Sequence, residues 1–190
     1  MTRRIVIAVV ACLAASPAFA IRPYASGAVA SEHHLASEAG VEMLKAGGNA
    51  IDAAVSAAFM LAVVAPYHSG LGGGGFALVH MEGTATPRAL DFREVAPAAA
   101  SRDMYLRDGG VVPRASIDGA LAVAVPAAVQ GYLALHQAHG VLPRMKVLAP
   151  AIRVAKQGFV VTPWYRNFAT MRESCLRSDG EASRLFLRPG

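Results

Sequence analysis

The sequence predicts a mixed fold, α+β or layered α/β, in which helices and strands pack around one core. Three observations support this. Stretches with helical spacing of apolar residues, such as Leu35–Lys45 and Ala50–Val64, alternate with short extended runs such as Phe76–Val79. The 190 residues are 54% hydrophobic and 16% charged, enough to build a core and too apolar for wholesale disorder. Much of that apolar count is Ala, alongside 18 Gly, which points to closely packed helices rather than an aromatic-rich sheet.

Along the chain, residues 1–20 read as an export signal. Arg3-Arg4 form a basic start, Ile5–Ala15 an uninterrupted apolar stretch, and Ala18-Phe19-Ala20 a small-residue cleavage site. The stretch of 11 residues is too short to cross a bilayer as a helix. Val9-Val10-Ala11-Cys12 loosely resembles a lipidation box, but it would leave only seven apolar residues before the cysteine, so cleavage after Ala20 is expected. The protein is then exported, periplasmic or extracellular, with no membrane attachment after cleavage. Residues 21–190 keep 16 Lys and Arg against 13 acids, a net charge of about +3. These cations are scattered without aromatic interleaving, so nucleic-acid binding is not expected. Cys175 is the one cysteine left after cleavage and has no partner for an internal disulfide.

Within residues 21–190, Ser26–Ser31 reads as a short strand. Leu35–Lys45 follows as a helix stopped by Gly47-Gly48, since glycine takes the left-handed conformation beyond a helix end at little cost. Asn49 caps the next helix, and Asp52 suits its positive end. From Ala50 to Val64 only Asp52 and Ser56 are polar, so this helix is expected to be buried on all sides. Pro66 closes it. Strands are expected at Phe76–Val79 and Ala89–Glu94, linked by the turn-rich 82–87, and a helix from Pro126 to His139. Pro150 is expected to interrupt the helical region that begins at Pro143. A last helix, Trp164–Glu173, is capped by Thr162-Pro163. The end at Phe186–Gly190 carries a turn signal and no anchoring element, which reads as a truncated polypeptide.

Two stretches carry chemical interest. Gly70, Gly72 and Gly75 match G-x-G-x-x-G, but a helix precedes and a strand follows, the reverse of a dinucleotide fingerprint. A structural role is expected instead: positive φ and close approach of another segment. Asp91-Phe92-Arg93-Glu94 on a strand puts Asp91 and Arg93 on one face, Phe92 and Glu94 on the other. Asp91 and Arg93 can form a surface ion pair, or Arg93 can offer a planar fork to a substrate carboxylate. The chemistry of the stretch alone puts the ion pair first. His33-His34 should diverge, and His136 and His139 share a helix face without a third ligand; no metal and no cofactor is expected. None of Thr84, Thr86, Thr162 and Thr170 looks like an activated nucleophile.

Taken in order, several stretches resemble the start of the γ-glutamyltransferase (glutathione hydrolase) large subunit. They are 30–37 (ASEHHLAS), 40–52 (GVEMLKAGGNAID), 69–76 (SGLGGGGF), 90–97 (LDFREVAP), Val125-Pro126 with Gly131, and 148–155 followed by Gly158-Phe159. The resemblance implies an N-terminal-nucleophile hydrolase, a four-layer αββα sandwich present only in part, with residues 21–190 the N-terminal portion of the large subunit. It implies a precursor that cuts itself in two, whose new N-terminal threonine attacks γ-glutamyl amides such as glutathione. Arg93 then matches the arginine that binds the substrate carboxylate, which reverses the order given above. Asp91, Glu94, Gly72, Gly73 and Gly74 support it. The family's Thr-Thr-His is absent from these residues, so the chain is expected to be inactive without a small subunit from the same precursor. A related amidase, such as a cephalosporin-type acylase or poly-γ-glutamate hydrolase, and a non-catalytic remnant are the alternatives.

Overall fold

The computed structural model describes residues 27–187, and the export-signal reading of 1–20 lies outside them. Helix α1 (His34–Lys45) buries Ala36, Ala39, Gly40 and Met43. Helix α2 (Ala50–Val64) lies at the centre, packed against α1 and against two later helices. The small residues allow the close approach: a Cβ on Gly40 would sit 2.8 Å from Val29 and 3.1 Å from the Ala53 carbonyl. One group of buried side chains joins Ala36, Ala39, Ala57, Met60 and Val64 to Ala151. The other joins Met43, Ile51, Ala53 and Val55 to Leu135 and Val147. A one-turn helix α3 (Pro66–Ser69) then leads into the glycine run.

Strands β1 (Gly75–Val79) and β2 (Arg88–Phe92) form an antiparallel hairpin, with Gly75 opposite Phe92 and Val79 opposite Arg88. Ala77, Val79 and Leu90 face the helices. Phe76 and Leu78 face away and are 70% and 76% exposed. Val95, Val123 and Val125 extend the uncovered apolar surface. Residues 21–190 expressed alone are therefore expected to self-associate through this face. A cooperative melt from a monomer in sedimentation would contradict that.

A second small hairpin, β3 (Leu106–Arg107) with β4 (Gly110–Val111), turns at Asp108-Gly109, both at positive φ. A 3₁₀ turn at Ala120–Ala122 precedes α4 (Ala128–His139). Then come α5 (Arg144–Gln157), α6 (Pro163–Met171), α7 (Glu173–Arg177) and α8 (Gly180–Phe186).

Several expectations need correcting. Residues 27–31 form no strand; no partner strand lies beside them among the described residues, and Val29 packs on α1 instead. Helix α4 starts at Ala128, not Pro126, because Val125 is held in a bridge to Val95. Pro150 does not break α5: its ring is fully buried, and that burial outweighs the missing hydrogen bond. The last expected helix ends at Met171, and α7 and α8 follow it, with the Asp179 side chain accepting from the Ala182 N–H to cap α8. His33 and His34 do not diverge. His33 lies outside the helix as its N-cap, and the two rings stack at 4.6 Å.

His33 is 5% exposed; its Nδ1 accepts the Leu35 N–H at 3.2 Å, and its buried Nε2 has no partner among the described residues. Burial, then the neighbouring His34, holds its pKa below the ordinary 6.5, while Glu32 and Glu38 pull it upward. The folded state thus favours the neutral ring, and the unfolded chain binds the proton more readily. Stability is full above the unfolded value and is lost as pH falls from about 6.5 toward the lower folded value. His33→Asn, which keeps a capping acceptor, should flatten the decline of Tm between about pH 8 and pH 5. An unchanged decline would refute the assignment.

Candidate functional site

The Asp91–Glu94 segment leaves the hairpin at the end of β2 and enters the Val95–Val125 bridge, whose two backbone bonds measure 3.3 and 2.9 Å. Asp91 turns back on its own strand: Oδ1 accepts the Arg93 backbone N–H at 2.9 Å, an Asx turn that sets where the Arg93 Cα stands. The guanidinium pairs not with Asp91, as the sequence chemistry first suggested, but with Glu94. Nη1 donates to Glu94 Oε1 at 2.7 Å. Asp91 is instead turned onto the backbone, with Oδ1 engaged by the Arg93 N–H. Arg93 is 60% exposed and Glu94 24%. The remaining Arg93 donors have no partner among the described residues, so one edge of the fork is open for a planar anion.

The glycine run supports this segment from behind, though not in the way expected. None of Gly70 and Gly72–Gly75 has positive φ. Close approach is what matters. A Cβ on Gly74 would collide with the Glu94 backbone nitrogen and lie 2.5 Å from Glu94 Oε2 and from the Phe92 carbonyl. The Gly73 carbonyl accepts the N–H groups of Ala127 and Ala128 at 3.0 and 2.9 Å, satisfying donors at the α4 start. Gly72 has open space around it among the described residues. Glu94 Oε2 is buried without a donor among these residues.

The sequence reading missed how deep Asp52 lies. Its side chain is fully buried; it accepts from Asn49 N at 2.9 Å and from Val141 N and Leu142 N at 3.2 Å each. His136 Nε2 stands 3.4 Å from the carboxylate and donates to the Leu142 carbonyl at 3.0 Å, which fixes the proton on that nitrogen. Asn49 Nδ2 donates to the His139 carbonyl at 2.6 Å. His136 and His139 therefore serve this clasp between α2 and the α4–α5 link. One signal was available: a lone carboxylate on an otherwise apolar helix must find partners when buried.

Cys175 is exposed, 3.7 Å from an Arg172 nitrogen. An apolar cavity of about 320 Å³ lies beside it, lined by Tyr67, Tyr165, Phe168, Leu176 and Phe186 among others. It does not adjoin Arg93, whose surface is open. Among the described residues no three His, Cys, Asp or Glu side chains are grouped as metal ligands, and no helix is long and apolar enough to cross a membrane.

An α+β chain with a helix-backed hairpin that presents a half-engaged arginine fits part of an N-terminal-nucleophile hydrolase sandwich. Comparison with known proteins agrees. The family model for gamma-glutamyltranspeptidase matches residues 36–190, and the chain belongs to that family. It is 45% identical over 160 residues to the glutathione hydrolase proenzyme of Pseudomonas aeruginosa, covering 84% of this chain and 28% of that protein. The gamma-glutamyltranspeptidase structure from Helicobacter pylori superposes with a TM-score of 0.84 at 38% identity, over 90% of this chain and 49% of that one. A cephalosporin acylase from Bacillus halodurans superposes at 0.68 with 32% identity, over 85% and 31%. The chain thus spans about a quarter of the curated relative's length. The expected fold assignment holds.

Proposed function

We propose that this chain is the N-terminal part of the large subunit of an exported γ-glutamyl-transferring enzyme, made as a precursor. The whole enzyme cleaves γ-glutamyl amides such as glutathione and passes the acyl group to water, amino acids or peptides. The carrying observation is Arg93: a guanidinium clamped on one edge by Glu94, its backbone fixed by Asp91, its other edge free. That free edge matches a substrate carboxylate through two parallel hydrogen bonds.

Holding the carboxylate sets where the γ-amide lies, which is the orientation part of catalysis. The nucleophile is a threonine on the small subunit; its hydroxyl attacks the γ-carbonyl while its own α-amine takes the proton. The leaving amine departs, and water or an acceptor amine releases the acyl group. No Thr-Thr-His occurs in these 190 residues, and in this reading the small subunit supplies the nucleophile. The open surface at Arg93 and the uncovered Phe76–Leu78 face fit a site walled by that subunit.

The likeness to a cephalosporin acylase favours one second reading, an amidase taking other carboxylate-bearing acyl groups. Turnover by the processed two-chain enzyme separates them. A γ-glutamyl anilide should be cleaved well and a glutaryl anilide poorly; the reverse order would establish the acylase reading.

A further inference from the structure

The geometry points to Gly131 as a positioning residue for Arg93, acting through Phe92. This rests on the proposed carboxylate role of Arg93. Gly131 is buried at the end of the first turn of α4, where its N–H reaches the Ala127 carbonyl, and glycine in a helix is less favourable than alanine by up to about 1 kcal/mol. Its φ is not positive, so the backbone does not require glycine there. The space does. A Cβ at 131 would overlap the Phe92 ring at Cγ and lie 2.6 Å from its Cβ and Cδ2.

Phe92 is thereby seated directly on the helix backbone. Two more surfaces complete the seat. The Tyr132 ring meets Phe92 edge-on at 5.6 Å and is itself backed by Phe59 of α2 at 5.4 Å. Across the hairpin, Gly75 opposes Phe92, and a Cβ there would stand 3.0 Å from the ring. The ring is thus held from the helix, from the side and from the neighbouring strand. Arg93 is the next residue. Consecutive Cα atoms keep a fixed 3.8 Å spacing, and the Asp91 side chain on the Arg93 N–H and the Val95–Val125 bridge restrain the φ and ψ that could absorb a shift, so displacing Phe92 displaces Arg93. A two-bond grip on a carboxylate tolerates little such displacement, and a misplacement of about 1 Å costs on the order of 10²-fold. Glu94, which clamps the guanidinium, would move with it.

The test measures kcat and KM for a γ-glutamyl anilide with the processed two-chain enzyme carrying Gly131→Ala, Phe92→Gly, both, or Arg93→Ala. Gly131→Ala is expected to raise KM about tenfold or more with kcat within about threefold, the pattern of weakened donor binding. The double variant, in which glycine at 92 removes the Cβ, Cγ and Cδ2 atoms that the new methyl would strike, should have a KM near that of Phe92→Gly alone. If Gly131→Ala gives no folded enzyme, a folded double variant with that same KM supports the inference. A folded Gly131→Ala enzyme with wild-type KM overturns it, as does a double variant whose rise in KM is the product of the two single rises. Arg93→Ala separates the two claims. If it raises KM while Gly131→Ala does not, only the positioning role fails; if it leaves KM unchanged, the carboxylate reading and this inference fall together.

Discussion

Asp52→Ala is expected to remove most of the stability of this part of the protein. The carboxylate is fully buried and is the acceptor for Asn49 N, Val141 N and Leu142 N, with His136 3.4 Å away. Deleting it leaves those donors facing a cavity, and breaking a buried charged cluster by removing one partner costs about 3–5 kcal/mol. Domains are stable by only about 5–15 kcal/mol, so the variant should accumulate poorly or melt well below the parent. Asp52→Asn keeps the shape but turns an amide N–H₂ toward backbone N–H groups, and should fall between. Thermal unfolding of the processed enzyme decides it: a Tm for Asp52→Ala within a degree or two of wild type would remove the clasp from the account.

The second large effect is on activity. Arg93→Ala should lower kcat/KM for γ-glutamyl donors by about 10²–10³-fold, carried mainly by KM, because a charge-assisted pair contributes about 1.5–3 kcal/mol and orientation is lost with it. Arg93→Lys keeps the charge but not the planar fork and should recover only part of the loss. Precursor processing and Tm should stay near wild type, since the side chain is largely exposed and, among the described residues, bonds only Glu94.

How much of this was legible in the sequence varies by element. Helices α1 and α2 were, because apolar spacing, the Asn49 cap and Gly47 at φ +87° all act locally. The β1–β2 hairpin was legible for the same reason, although β2 stops at Phe92 where the Asx turn of Asp91 diverts the chain. Pro150 misled because its cost is local while its compensation, a buried ring, is tertiary. The α8 helix was overlooked although Asp179 caps it, since seven residues give little periodicity to read. At the site, the motif located Arg93, Glu94 and the glycines. It could not show that Asp91 is occupied by the backbone, that Gly74 is needed for space instead of positive φ, or that Phe92 sits on Gly131 from 39 residues away in sequence. Those facts depend on which segments meet, and no local pattern encodes them.

The most direct measurement pairs the residue with the substrate group it is said to hold. The processed enzyme and its Arg93→Ala variant are each assayed with a γ-glutamyl anilide and with the analogue lacking the α-carboxylate, a 4-aminobutyryl anilide. The wild-type enzyme should favour the carboxylate-bearing donor by about 10²-fold or more in kcat/KM, and the variant should discriminate little between the two. Equal discrimination by both proteins would show that the carboxylate is bound elsewhere.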